Sequence, residues 1–278
     1  MLPILTATRY VTPLREGGSL PAVVETAEDG LWVVKFRGAG QGAKMLVAEL
    51  IVGLLARELG LPIPDLALVD VAPSFGRTEG DPEIQDLLRW SHGINVGLRY
   101  LDGAFNYEER PARDLHIVPE EMKAPVLWLD AFVFNPDRTH RNPNLLIWGR
   151  RPWLIDHGAA LYFHHNWGRM TPERARGPFS RISDHLFLTD ALDIGQADEA
   201  AAATLTESVL RRVLESVPDS LLTDPVSGEP EVDAAELRER YLRVFLDRLE
   251  GPREWMEELV RVQAAAKAEG RKRLEARR

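Results

Sequence analysis

A chain of 278 residues, 45% hydrophobic and 28% charged, is long enough to bury a sizeable core as one large domain or two lobes. It contains no cysteine, which excludes disulfides, thiolate metal sites and thiol nucleophiles. Its net charge of -9 argues against a nucleic-acid partner, because such binding needs a basic face that displaces counterions.

No apolar run nears the ~20 residues needed to cross a bilayer. Met1 to Leu5 is not a basic segment leading into a long apolar core. The expectation is therefore a cytoplasmic chain with no membrane span. In chain order, Ala22 to Glu25 and Leu31 to Phe36 read as short strands around a Glu28-Asp29-Gly30 turn. A glycine-containing loop, Arg37 to Gly42, leads into a predicted helix from Ala43 to Leu59, with Leu46, Leu50, Val52, Leu54 and Leu55 at helical spacing. Gly60, Pro62 and Pro64 stop it. Leu66 to Val71 and Ile94 to Leu101 are further strands, separated by a polar loop from Pro73 to Pro82.

After Asp102-Gly103 the character changes. Pro119 to Phe134 predicts a helix, and the segment from Gly158 to Pro178 reads as a loop. Within that loop His164, His165 and Trp167 are read as surface residues. Helical periodicity returns over Asp198 to Val217, Ala234 to Leu249 and Glu254 to about Leu274. Asp198 is expected as an N-cap and Pro218 as a stop, and residues 224–230 as a connecting loop. The basic cluster Lys267 to Arg278 suits the negative end of a solvated last helix. The expected outline is α+β, with a small antiparallel-sheet lobe carrying one helix over residues 1–102. A larger, mostly helical lobe over 103–278 would complete it, and a cleft between the two is a natural ligand site.

The chemistry concentrates between Asn135 and Gly158. Asn144 to Trp148 and Pro152 to Asp156 are apolar runs around Gly149-Arg150-Arg151, a hairpin signal. Asn144 and Asp156 are equidistant from Arg150, so a symmetric hairpin would set them face to face, with Cβ atoms ~5 Å apart. A carboxylate and an amide oxygen so placed can share a hard cation such as magnesium, whose shell phosphates complete. Asp137 lies in a proline-flanked loop beside them, where a carboxylate can orient a hydroxyl or accept its proton. Arg138 can steady phosphate charge or pair with Asp137. Trp128, Trp148 and Trp153 read as core residues around the motif.

Asn135-Pro-Asp137-Arg-Thr-His140 and Leu154-Ile-Asp156-His-Gly158 resemble the catalytic loop and metal-binding turn of protein-kinase-like folds. The likeness is to the atypical group containing HipA-like kinases and phosphatidylinositol 3/4-kinases. Gly17-Gly18-Ser19 is similar to that group's phosphate loop, Lys35 to its phosphate-contacting strand lysine, and Glu49 to the glutamate that holds the lysine. The resemblance implies ATP and Mg2+ as cofactors and phosphoryl transfer to a hydroxyl: the HipA-like side implies a serine or threonine of a protein, the favoured acceptor, and the lipid-kinase side an inositol lipid. It also makes Asn142, five residues after Asp137, the metal ligand by spacing, whereas the hairpin symmetry prefers Asn144. Two other classes stay open: a nucleotide-binding pseudokinase or regulatory module, and a metal-dependent hydrolase using Asp137, His140, Asp156, His157, His164 and His165. Binding without turnover would mark the first, and bound transition metal the second.

Overall fold

The computed structural model describes residues 2–14, 20–28, 30–40, 42–77, 79–108, 116–223 and 232–275. Its first part is a closed five-stranded barrel. The strands are β1 (Ile4–Pro13), β2 (Ala22–Thr26), β3 (Leu31–Lys35), β4 (Leu66–Val71) and β5 (Gly93–Arg99), joined in the order β1-β2-β3-β5-β4 and back to β1. The expected sheet was antiparallel throughout. Instead it closes through one parallel pairing, Ile4 to Thr6 against Leu68 to Asp70. β1 makes this possible because it serves two partners. Its first residues pair with β4, and Ala7 to Pro13 pair with β2 through two register shifts. Bulges of this kind bend a strand and increase its twist.

Helix α1 (Gly42–Glu58) follows. It is apolar and buried on nearly every face, as expected of a helix enclosed by other elements. It packs against β5 on one side and against helical elements from the later chain on the other. The described residues between Pro73 and Asp81 are loop as expected, and a short helix that was not expected, α2 (Pro82–Arg89), follows, its N-cap Asp81 accepting from the Glu83 amide at 2.9 Å.

The later chain begins with β6 (Phe105–Asn106) and α3 (Glu120–Phe132), followed by the hairpin β7 (Leu145–Trp148) and β8 (Arg151–Leu154). β6 adds to β7 to make a three-stranded sheet. The segment expected to be loop after Gly158 contains two 3-10 turns and the short helix α4 (Pro172–Arg176). Five helices finish the chain: α5 (Ile194–Thr204), α6 (Glu207–Glu215), α7 (Asp219–Leu222), α8 (Ala234–Leu249) and α9 (Glu254–Glu275). α6 and α7 are the elements that meet α1. Among the described residues, no helix is long and apolar enough to cross a membrane. The loop expected over 224–230 lies outside the described residues.

The core of the helical part is aromatic. Trp128 and Phe132 stack with centroids 4.8 Å apart, and Phe132 meets Phe245 at 5.5 Å, tying α3 to α8. Trp128 is fully buried as expected, but Trp148 is 39% exposed and bonds through Nε1 to the Asp102 carbonyl at the surface.

One expected helix divides. Residues 198–217 form parts of α5 and α6, with the break at Leu205 and Thr206 and a fresh N-cap at Thr206. Asp198 is thus not a cap. It lies inside α5, buried, and accepts from Trp128 Nε1 and Arg253 at 2.7 Å each. An Asp198→Ala change leaves a buried indole N–H and a guanidinium without that acceptor. It should lower stability by about 2 kcal/mol, measured as a shift in the urea midpoint at unchanged m-value.

Candidate active site

The β7–β8 hairpin positions the central residues, although not in the register expected. Leu145 pairs with Leu154 and Trp148 with Arg151, so the turn is two residues, Gly149-Arg150, both at positive φ (57° and 63°). That is the type I′ geometry whose twist suits a tight hairpin. A two-residue turn places Asn144 across from Ile155, whose amide donates to the Asn144 carbonyl at 3.1 Å. Asp156, the expected partner of Asn144, therefore falls one residue beyond the actual one. Asn144 (φ 50°) and Asp156 (φ 56°) are themselves both left-handed. That conformation is uncommon for residues with a side chain and concentrates at functional sites. It ends the ladder at both strands.

Asp156 turns toward the barrel. Lys35 Nζ, at the end of β3, donates to Asp156 Oδ1 at 2.5 Å and to Glu49 Oε2 on α1 at 2.8 Å. Neither Lys35 nor Glu49 is the exposed residue that its position alone would suggest: they are 4% and 0% exposed, respectively. Burial works against the ammonium, but the two carboxylates outweigh it and raise the Lys35 pKa above its ordinary value. Burial likewise opposes ionisation of Asp156, yet Lys35, His157 and Arg138 hold its carboxyl below the usual range. Glu49 Oε2 also accepts the His157 backbone amide at 2.8 Å. The glutamate thus locks the lysine and the turn after Asp156 in one place. The turn lies so close to α1 that a Cβ on Gly158 would stand 2.5 Å from Met45 Cγ.

Asp137 forms the second centre. Asn142 and Asn144 each donate an amide to Asp137 Oδ2, at 2.8 and 3.1 Å. An ionised carboxylate only accepts, so both contacts are made by Nδ2, and each asparagine keeps Oδ1 as its acceptor atom. Asn144 is buried and Asn142 exposed. The structure therefore gathers both candidates at one carboxylate, while Lys35, Glu49 and Asp156 form the other cluster. The two clusters are joined through the Asn144–Ile155 bond.

Arg138 does not meet the expectation that it pairs with Asp137 or steadies phosphate charge. Its guanidinium is 1% exposed and donates to Asp130 Oδ2 at 2.6 Å and to the Asn144 carbonyl at 2.5 Å, with NH2 facing His157 Nδ1 at 3.4 Å. It braces the loop from within. Asp130, on α3, also accepts from Asn135 Nδ2 at 2.7 Å and from His185 Nε2 at 2.9 Å. The Phe187 amide donates to His185 Nδ1 at 3.0 Å, which fixes the ring proton on Nε2. Burial disfavours the Asp130 charge, but Arg138 and His185 overcome this and hold its pKa far down. Sequence reasoning missed Asp130 and His185. A carboxylate in an otherwise apolar helix was the available signal for Asp130; His185, 55 residues away, left none.

His164 is not the surface residue expected. It is buried, with Nδ1 2.8 Å from the Tyr241 hydroxyl. The expected phosphate loop, Gly17, Gly18 and Ser19, lies outside the described residues.

With this geometry in place, the comparisons are consistent in one direction. The HipA-like kinase family profile matches residues 8–257, and the chain belongs to that family. The crystal structure of a Helicobacter pylori proinflammatory kinase, CtkA, has the same fold at a TM-score of 0.55. The two are 12% identical, over 96% of this chain and 99% of that one. No curated protein matches the chain.

The buried histidines give a pH test. Burial pushes His157 down to about 4 and also lowers His164 and His185, whereas an unfolded histidine titrates near ~6.5. Their neutral folded forms therefore contribute stability that is fully present above pH ~6.5 and is lost as pH falls toward the folded values. For His157 the unfolding free energy should drop by up to ~1.4 kcal/mol per pH unit between pH ~6.5 and about 4, and the lowered His164 and His185 should add to the fall in the same direction. Urea titrations across that window measure the slope, and a flat profile would contradict the assignment.

Proposed function

We propose that this family member is a cytoplasmic ATP- and Mg2+-dependent kinase that transfers a phosphoryl group to a serine or threonine hydroxyl of a protein. The observation that carries the reading is the Lys35 ammonium held between Glu49 and Asp156, next to an aspartate, Asp137, that two asparagine amides orient. On this reading residues 1–102 form the nucleotide-binding lobe and residues 103–278 the lobe that carries the catalytic loop.

The residues present fit a magnesium–nucleotide. Asp156 and the Oδ1 atom of Asn144 or Asn142 are oxygen donors of the kind a hard cation takes. Among the described residues, no three His, Cys, Asp or Glu side chains converge as a metal cluster. A cation here would thus complete its shell with phosphate oxygens. The same finding disfavours the hydrolase reading, which needs an all-protein cluster of histidines and carboxylates.

When bound, the ion supplies charge neutralisation at the phosphates. The chain's own groups do the rest. With a nucleotide bound, Glu49 would hold the Lys35 ammonium toward the phosphate oxygens, and Asp156 would serve as a ligand of the cation. Asp137, with Oδ2 taken by the amides, presents Oδ1 to the acceptor hydroxyl and takes its proton. Asp130 and Arg138 keep the loop fixed, so the loop does not need to reorganise as charge develops. Gly17, Gly18 and Ser19 are proposed to meet the phosphates through backbone N–H groups.

ATP with magnesium at ~100 times Kd should stabilise the wild type by ~2.7 kcal/mol, a rise of roughly 5 to 10 °C in Tm. ATP without magnesium should give far less, and Asp156→Ala should abolish the difference. Asp137→Ala should keep the shift and lose ~10²–10⁴-fold in phosphate transfer, read by mass spectrometry. Equal shifts in wild type and Asp156→Ala would remove the basis of the reading.

A further inference from the structure

Nine residues beyond Gly158, the chain turns past α8 and leaves an open cleft of about 400 Å³ between the two. Trp167 and Met170 line it from one side, and Val244, Arg240, Arg243 and Asp247 from α8. The Trp167 ring is fixed edge-on against Tyr241, with centroids 4.8 Å apart, and against Phe163 at 5.3 Å. The wall is therefore preformed. Tyr241 is in turn bonded to the buried His164, so the cleft is tied to the same segment that leads out of the Asp156 turn.

The charge of the cleft runs against that of the chain. The molecule carries -9 overall, yet the carboxylate that lines this cleft is already engaged. Asp247 in the lining accepts from Arg176 at 2.6 Å, and Arg240 is paired along α8 with Glu236, which does not line the cleft, at 2.6 Å. Arg243 is exposed and gives a single bond to the Glu239 carbonyl at 3.3 Å. Two arginines against one aspartate give the lining a net positive charge, over a floor of tryptophan, methionine and valine. An apolar side chain flanked by carboxylates satisfies both parts at once, with burial against Trp167 and Met170 and charge-assisted bonds from the two arginines. The open side suits an extended segment better than a small molecule, which pockets usually enclose over most of its surface.

We propose that this cleft docks an acidic, apolar-anchored segment of the acceptor protein, holding it beside the catalytic loop. The proposal rests on the kinase reading for its purpose, but the binding itself does not require turnover. Two dye-labelled twelve-residue peptides serve as probes. One is built of aspartate and glutamate around a central phenylalanine, and the other carries lysine at the same acidic positions. Fluorescence anisotropy on the full chain reads binding, and a magnesium–ATP thermal shift on each variant reads the integrity of the nucleotide site.

The acidic peptide should bind at least tenfold more tightly than the basic one. Binding should weaken at least tenfold in Arg240→Glu/Arg243→Glu and, separately, in Trp167→Ala. The magnesium–ATP shift should stay at its wild-type value throughout. Equal binding of the two peptides, or acidic-peptide binding unchanged in the variants, would overturn the docking site whatever the thermal shift shows. Loss of the thermal shift in wild type would count against the kinase reading alone.

Discussion

The site depends on one buried cation. Lys35 sits at the end of a barrel strand, almost sealed from solvent, and its ammonium is stable there only because two carboxylates from different parts of the chain meet it. Glu49 comes from α1 and Asp156 from the residue pair after β8. A buried lysine without them would lose its charge or force the barrel to open. The same three residues therefore join the barrel, the helix packed on it and the end of the hairpin. Breaking one partner of such a pair typically costs about 3–5 kcal/mol, so the arrangement holds the fold together as well as placing the charge.

A second buried charge organises the other half of the site. Asp130 gathers Arg138, Asn135 and His185, and Arg138 reaches on to the Asn144 carbonyl and to His157. His157 then donates its amide to Glu49. The two clusters form one continuous chain of polar contacts from α3 to β3, buried except at Asp156, whose side chain is 39% exposed. Shared polar contacts of this kind rigidify a buried site, although among the described residues Glu49 Oε1 and His157 Nε2 are buried without a hydrogen-bond partner. Rigidity is useful at a centre that works by positioning and fixed charge.

The short elements of the site were legible because their signals are local. The helix after the glycine loop and the β7–β8 hairpin follow from period and turn residues, and Asp137 and Asp156 stand out as carboxylates around that hairpin, whereas Lys35 and Glu49 came only from the resemblance of the ordered motifs to a kinase family. The barrel was not legible. In β1, alternation of exposed and buried residues holds from Ile4 to Ala7 and then fails at the bulges, so ten residues of strand carry no steady period. Its parallel partner lies more than sixty residues away, and no local pattern reports such a pairing. The hairpin register failed by one residue because Arg150, which has no glycine's freedom, adopts positive φ beside Gly149. Counting outward from a central Arg150 shifts every pair. Asp198 looked like a cap because it precedes an alanine run, whereas Trp128 and Arg253 bury it inside a helix. Arg138 was legible as important but not as internal, because its partner Asp130 lies in a helix where no residue was singled out as part of the site.

Under the proposed function, Lys35 and Asp156 separate to admit a magnesium–nucleotide, with Asn144 or Asn142 completing the protein's share of the ligands. A crystal structure with magnesium and a non-hydrolysable ATP analogue tests this most directly. The account predicts a cation ~2.1 Å from an Asp156 oxygen and from Oδ1 of one of the two asparagines, with Lys35 Nζ moved onto a phosphate and still bonded to Glu49. A nucleotide bound elsewhere, or one bound while Lys35 stays on Asp156 with no cation between them, would contradict it.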